Sequence, residues 1–362
     1  MWLVFVVFID YLPFLLDNNQ VMIIVLKTDL TEEKLHRVAE RIESEGFYTR
    51  SISQYGKLLL SVDGPNTERL LKEVTKWQDV EEVIDGHFPY YLASRKCHKS
   101  NSVIRIGKGD NQVTFGDKEI PVIAGPCAIE TAETALAIAE IVKAAGVKIF
   151  RGMLFKPRSS PYSFQGIGKD GLEILDEIKK QTGLLVVTEV REACEADMVA
   201  EYADIFQIGT RNMSNFQLLK YVGQMNKPVI LKRGMGSNIV ELLCAAEYIL
   251  SYGNPNVILC ERGIRTFEQF TRFGLDIAAI PSVKELSHLP IIIDPSHASG
   301  KSSLVSSLTM AGIAAGADGV ILEVHDNPEK AFSDGTESIT PSQLKDLIKS
   351  GKKVASAIGR EL

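Results

Sequence analysis

From Arg151 to Arg158 the sequence reads Arg-Gly-Met-Leu-Phe-Lys-Pro-Arg, three cations within eight residues of a chain whose formal net charge is -6. The apolar run Val147-Lys148-Ile149-Phe150 precedes it, and Ser159-Ser160-Pro161-Tyr162 follows. A strand ending in Arg151, then a loop holding Lys156 and Arg158 and stiffened by Pro157, suits phosphate or carboxylate groups. Guanidinium grips such groups through paired N–H bonds, and ammonium acts as a point charge. A solvated basic loop would carry the same residues, so what decides is their company. Arg211, Lys232 and Arg262 also stand just past apolar runs, which gives cations enough for one carboxylate and two phosphates. A second group, Cys127, His297, Glu323 and Asp334, offers one sulfur, one imidazole and two carboxylates. Such a mixed set suits a borderline divalent ion (Mn, Fe, Co or Zn) better than Ca²⁺. Its spacing matches no metal motif, and Asp334-Gly335 by itself reads as a turn.

These groups act together only if the fold brings them together. Short buried runs are expected as strands at Val122–Ala124, Val147–Phe150, Leu184–Thr188, Asp204–Ile208, Pro228–Leu231, Asn256–Cys260, Pro290–Ile293 and Gly319–Leu322. Amphipathic helices are expected between them, at Ala132–Ala145, Leu172–Gln181, Glu192–Tyr202, Ser214–Met225, Ile239–Tyr252 and Leu304–Ala315. Eight such units over about 240 residues have the count and size of a (β/α)₈ TIM barrel, and no GxGxxG follows the first strand to favour an open dinucleotide-binding sheet. Just past the eight strands stand Gly125-Pro126-Cys127, Arg151, Glu189, Gln207 with Arg211 and Asn212, Lys232-Arg233, Glu261-Arg262, Asp294-Pro295-Ser296-His297 and Glu323-Val324-His325. In a barrel all of these meet on one face. The pair Val103–Ile106 and Val113–Phe115 reads as a hairpin that closes the opposite end.

The first third of the chain has a different character. Residues 1–20 are apolar, but they lack a basic flank and a cleavage site, and Asp10 and Pro13 interrupt them; they read as an extension of unknown role rather than an anchor. Residues 21–88 run β-α-β-β-α-β, the ferredoxin-like split motif, with Thr31 as helix cap and Gly46 as stop. No catalytic cluster stands there: His36 and His87 are isolated, so the domain reads as a binding module. Residues 89–102 read as a polar linker in which Cys97 and His98 are exposed bystanders. A 45% hydrophobic, 24% charged composition is that of a soluble globular protein. The acidic balance gives no reason to expect nucleic acid, and no membrane partner is expected. Five cysteines without a CxxC pair point to a reducing compartment, hence the cytoplasm.

Read together, Gly125-Pro126-Cys127, Lys156-Pro157-Arg158-Ser159-Ser160-Pro161, Gln207-Ile208-Gly209-Thr210-Arg211-Asn212, Leu231-Lys232-Arg233-Gly234, Cys260-Glu261-Arg262-Gly263, Asp294-Pro295-Ser296-His297 and Glu323-Val324-His325 resemble the motifs of the 3-deoxy-D-arabino-heptulosonate 7-phosphate (DAHP) synthases. The resemblance covers about residues 103–360, and the small domain resembles the regulatory domain of one subgroup. It implies condensation of phosphoenolpyruvate with erythrose 4-phosphate at the entry to the shikimate pathway and aromatic amino acid biosynthesis. It implies one divalent metal on Cys127, His297, Glu323 and Asp334. Arg151, Lys156, Arg211, Lys232 and Arg262 would hold phosphoenolpyruvate, with Gly209 and Thr210 beside them, while Pro157, Arg158 and Ser159 would clamp the tetrose phosphate. Lys156, its pKa lowered by neighbouring cations, would transfer a proton, and Cys127 and His297 would act through the metal. Glu189 would support the site from behind. A tyrosine or phenylalanine effector and a homo-oligomer, a tetramer by the resemblance, are further expectations. The related octulosonate 8-phosphate synthases take arabinose 5-phosphate and typically carry Ala-Asn where this chain has Pro157-Arg158; a non-catalytic effector-binding barrel is the distant alternative.

Overall fold

The computed structural model describes residues 22–362 except 28–29, 66, 85–88 and 159. The extension 1–20, His87 and Ser159 therefore lie outside the described residues. The chain divides into two compact units, up to Leu92 and from Ala93 onward.

The first unit holds strands β1 (Met22–Leu26), β2 (Tyr48–Gln54), β3 (Lys57–Asp63) and β4 (Val80–Ile84), with helices Glu32–Glu43 and Thr67–Val74. Thr31 caps the first helix by accepting the Lys34 backbone N–H. The antiparallel sheet has the order β2-β3-β1-β4, that of the split motif. Ile24 and Leu26 of β1 and Leu60 and Val62 of β3 share a core with Val38, Ile42, Leu70 and Val74 of the helices. The hydrophobic periods of 2 and 3.6 put those residues on facing surfaces.

The second unit begins with a hairpin, β5 (Ile104–Ile106) and β6 (Val113–Phe115). Then come β7 (Val122–Gly125), β8 (Ile149–Arg151), β9 (Leu185–Glu189), β10 (Ile205–Ile208), β11 (Val229–Lys232), β12 (Val257–Glu261), β13 (Ile291–Ile293) and β14 (Val320–Glu323). These eight close into a parallel barrel of order β10-β11-β12-β13-β14-β7-β8-β9. Helices expected from periodicity stand at Ala132–Ala144, Gly171–Thr182, Ala193–Tyr202, Phe216–Gly223, Ile239–Ser251 and Ser302–Ala314; Ala279–Leu286 and Pro341–Ala357 add to them. Among the described residues no helix is long and apolar enough to cross a membrane.

Inside the barrel, Ile123, Ile149, Val187, Ile205, Ile230, Ile258, Ile292 and Ile321 pack together, and Ile104, Ile106, Val113 and Phe115 of the hairpin close the cluster at its lower end. Strand side chains alternate with period two. The next inward position is therefore Gly125, Arg151, Glu189, Gln207, Lys232, Cys260 and Glu323 on their strands, and Asp294 directly after β13. The same parity that fills the core thus aims the polar residues into the barrel one layer higher.

The ladder accounts for a small offset from expectation. Arg151, Glu189, Lys232, Glu261 and Glu323 are not beyond their strands but are the last residues in them. Polarity marks the end of an apolar run, whereas backbone pairing continues through it. Pro228 and Pro290, which have no N–H to give, fall outside.

From Ala93 the stretch read as linker is bound into the barrel unit. The Ala93 backbone N–H donates to Glu247 at 2.8 Å, that of Arg95 to the Leu286 carbonyl at 3.0 Å and that of Ser102 to the His288 carbonyl at 2.8 Å. Cys97 is buried, not exposed as expected. A polar composition signals a linker only when its groups face water, and here they satisfy the barrel's backbone.

Candidate active site and metal centre

At the upper end of the barrel a cleft opens. Arg151, Lys156, Pro157, Arg158, Gly209, Thr210, Arg211, Lys232, Arg262, His297 and Asp334, each singled out in the sequence, line it. Cys127 and Glu323 lie beneath, fully buried.

Close backbone approaches shape the floor. Gly125 has φ 153°, and a Cβ there would stand 2.2 Å from the Arg151 carbonyl. This lets Pro126 and Cys127 turn over the barrel beside β8. A Cβ on Gly209 would stand 2.3 Å from a Glu189 oxygen, so glycine leaves room for that carboxylate, which accepts from Gln207 Nε2 at 3.0 Å.

His297 is placed by a one-turn helix, Pro295–Ser299, which is not among the helices expected from periodicity. Asp294 caps it: Oδ1 accepts the His297 backbone N–H at 3.0 Å and Oδ2 faces His297 Nδ1 at 2.7 Å. Nδ1 then carries the proton, and the Nε2 lone pair faces Glu323 Oε1 at 3.0 Å and Cys127 Sγ at 3.7 Å. Burial pushes the imidazole down to about 4, against Asp294 and Glu323, which pull it up. It is neutral in the physiological range, as a metal ligand must be. Burial would raise Asp294, but His297 and Lys232 hold it well below the usual carboxylate range.

Asp334 comes from the loop after β14, in left-handed backbone with φ 56°. Glu130 accepts the Phe332 backbone N–H at 2.6 Å, and Glu337 takes Arg272 at 3.1 Å through each oxygen, so both sides of Asp334 are anchored. Its Oδ2 accepts from the Cys127 thiol at 2.9 Å and lies 3.3 Å from Lys156 Nζ and 3.5 Å from Arg158. Burial would raise its pKa, but Lys156 and the thiol hydrogen bond hold it far down.

One donor atom from each of Cys127, His297, Glu323 and Asp334 lies within 4.8 Å of the others. Both Glu323 oxygens are buried without a hydrogen bond, although Arg151 stands 3.3 Å from one. A buried carboxylate left short of donors beside a thiol, an imidazole and a second carboxylate is a site short of positive charge, and these four residues fit a divalent ion.

The cations form the opposite wall. Arg151 is wholly buried, and its Nε and one terminal nitrogen have no hydrogen-bond acceptor; one Arg262 nitrogen is in the same condition. Lys232 reaches Asp294 at 2.5 Å. Arg233, its neighbour, has a structural task, bridging Glu261 at 2.8 Å and Asp276 at 3.0 Å. Lys156 requires a correction. Burial would lower its pKa, as cationic neighbours were expected to, but Cys127, Asp334 and Glu323 surround it and raise it. Its Nζ donates to Cys127 Sγ at 2.6 Å. Burial, Glu323 and Asp334 in turn lift the thiol well above a free cysteine, against Lys156 and Arg151.

Sequence reading missed Arg272, Glu337 and Phe273. Arg272 and Glu337 hold each other across two loops, and the Arg262 guanidinium lies 4.4 Å from the Phe273 ring. They stand well past their strands, where proximity to a strand end gives no signal.

The family model of the DAHP synthetase I family matches residues 99–360. A phospho-2-dehydro-3-deoxyheptonate aldolase from Thermotoga maritima is 44% identical over 338 residues, covering 93% of this chain and 99% of the relative. A 2-dehydro-3-deoxyphosphooctonate aldolase from Syntrophotalea carbinolica is 31% identical over 256 residues, covering 66% of this chain and 91% of its own. A crystal structure of phospho-2-dehydro-3-deoxyheptonate aldolase (DAHP synthase) from Thermotoga maritima, at 44% identity, superposes with a TM-score of 0.74 over 94% of this chain and 99% of that one. With the barrel, the cation wall and the four-donor group in place, these matches show that the chain belongs to the DAHP synthetase I family.

Proposed function

We propose that this chain condenses phosphoenolpyruvate with D-erythrose 4-phosphate and water, giving DAHP and inorganic phosphate, the first step of the shikimate pathway. The observation that carries the reading is Arg151, a guanidinium sealed inside the barrel with two nitrogens unpaired, between the metal set and the cleft. Its third nitrogen faces Glu323 at 3.3 Å, and with Lys232 and Arg262 on the same cleft the two unpaired ones suit a compact anion with two charged ends, as phosphoenolpyruvate is.

In this reading Arg151, Lys156, Arg211, Lys232 and Arg262 hold the carboxylate and phosphate of phosphoenolpyruvate. Arg158, nearer the rim, takes the phosphate of the aldehyde, with Pro157 fixing the direction of approach and Thr210 and Gly209 forming the facing edge. A bound Mn, Fe, Co or Zn ion on Cys127, His297, Glu323 and Asp334 supplies Lewis acidity for the aldehyde oxygen. The enol ether's π electrons form the new C–C bond from C3 to the aldehyde carbon. Lys156, kept charged by its acidic neighbours, donates its proton to the resulting alkoxide, a far stronger base. Water adds to the oxocarbenium carbon C2 and gives one proton back to Lys156; the C2–O bond to phosphate then breaks, the remaining hydroxyl proton leaves with the phosphate, and the ketone remains.

The first unit serves as a feedback module for tyrosine or phenylalanine in a cytoplasmic homo-oligomer, a tetramer. Among the described residues the four-donor group of the barrel has no counterpart in that unit. The second reading, an octulosonate 8-phosphate synthase, draws support from the Syntrophotalea relative, but Pro157-Arg158 favours the tetrose. Phosphate release measured with phosphoenolpyruvate plus either sugar decides: turnover with erythrose 4-phosphate is expected, and turnover with arabinose 5-phosphate alone would refute the assignment.

A further inference from the structure

We propose that Asp294 is a positioning residue that couples the anion subsite to the metal set, so that a substrate anion on Lys232 and an ion on His297 strengthen each other's binding. One carboxylate oxygen, Oδ2, meets the Lys232 ammonium at 2.5 Å and His297 Nδ1 at 2.7 Å. Asp294 is wholly buried and Lys232 nearly so, with Lys232 on the wall of the cleft. Two donors thus share one acceptor, and each donor serves a different half of the site.

The inference rests on the reading that Lys232 takes part of phosphoenolpyruvate. An anion bound to Lys232 divides the ammonium's charge with Asp294 and loosens its hold on Oδ2. The carboxylate then bonds the Nδ1–H more strongly and makes Nε2 a better ligand. In reverse, an ion on Nε2 strengthens the Nδ1–H bond and frees Lys232 toward the substrate. Linkage requires the two effects to be equal. Direct attraction between the ion and the anionic substrate has the same sign, so a test must isolate the carboxylate.

Co²⁺ affinity of the full-length, metal-stripped protein is measured by competition with a chromophoric chelator in the parent, Asp294→Asn, Lys232→Met and the double variant. Asp294→Asn should weaken Co²⁺ by about 10- to 100-fold, the usual effect of removing the partner of a ligating histidine. Lys232→Met should strengthen Co²⁺ several-fold more in the parent than in Asp294→Asn, where only relief of repulsion remains. Equal factors in the two backgrounds would overturn the coupling. A second measurement needs no variant: in metal-free protein with ¹⁵N-labelled histidine, phosphoenolpyruvate should shift the His297 Nδ1–H resonance downfield. A resonance that stays still while phosphoenolpyruvate binds also overturns the proposal. The Co²⁺ cycle contains no substrate, so its failure counts against the coupling alone, whereas absence of condensation counts against the functional reading.

Discussion

Replacing Cys127 by alanine removes the one donor of the four-residue set that must lose a proton to bind an ion. The four-ligand zinc sites of small peptides are worth about 10–16 kcal/mol at pH 7, so one ligand in four accounts for about 2.5–4 kcal/mol, or about 10²- to 10³-fold in affinity. The pH dependence is more specific. His297, pushed down to about 4, is already neutral above pH 6, and Asp334, held far down, is already ionised. The Cys127 thiol, raised well above a free cysteine by burial and by Glu323 and Asp334, is protonated and gives up its proton to the ion. Ion affinity in the parent should therefore rise with pH, by about tenfold per unit for that proton. Glu337, lifted to about 9 by burial and by Glu323 and Asp334, adds its own proton in both proteins. The difference in slope between parent and Cys127→Ala thus isolates the thiol and should be about one proton per ion. The assay is anaerobic Co²⁺ or Mn²⁺ titration from pH 6 to 8.5, by calorimetry in buffers of different ionisation enthalpy. A variant that binds one ion as tightly as the parent, or with the same slope, refutes the ligand role, whatever its activity.

Changing Pro157-Arg158 to Ala-Asn should raise the KM for erythrose 4-phosphate by about 10-fold or more, the loss of one charge-assisted contact near the rim, with little change for phosphoenolpyruvate; equal losses in steady-state kinetics would mean that the loop holds the whole site together. Removing residues 1–92 should leave a folded barrel that turns over but ignores tyrosine and phenylalanine, and a full-length enzyme already indifferent to both at millimolar levels would end that reading. The cut belongs before Ala93, because the Ala93 N–H is bonded to Glu247.

Much of this architecture was legible because a buried parallel strand is a short apolar run, and the residue that breaks it, Arg151 or Lys232 or Glu323, is the one that faces the cleft. Parity did the rest: Ile149 and Arg151 share a face, as do Ile321 and Glu323. Asp334 could not be placed from its own neighbourhood, since Asp-Gly signals only a turn; its position depends on Glu130 and Arg272, more than sixty residues away in sequence. The charge state of Lys156 was misread for a related reason. Nearby residues in sequence, Arg151 and Arg158, are cations, but its neighbours in space are Cys127 and Asp334. Short helices escape periodicity altogether, and Pro295–Ser299 has too few residues to show one.

The alternation that places isoleucine in one layer and charge in the next means that the catalytic floor is built from core positions. Arg151 Nε, Gln207 Oε1 and both Glu323 oxygens are buried without hydrogen bonds, and each such group costs about 1–3 kcal/mol. Apolar side chains at 151, 207 and 323 would continue the lower layers and give a more stable barrel that does no chemistry. The chain therefore sits below the stability its own scaffold allows, and the deficit is concentrated where metal and substrate bind. Selection for heat resistance alone would erode this layer first, and ligands that satisfy it should raise the melting temperature.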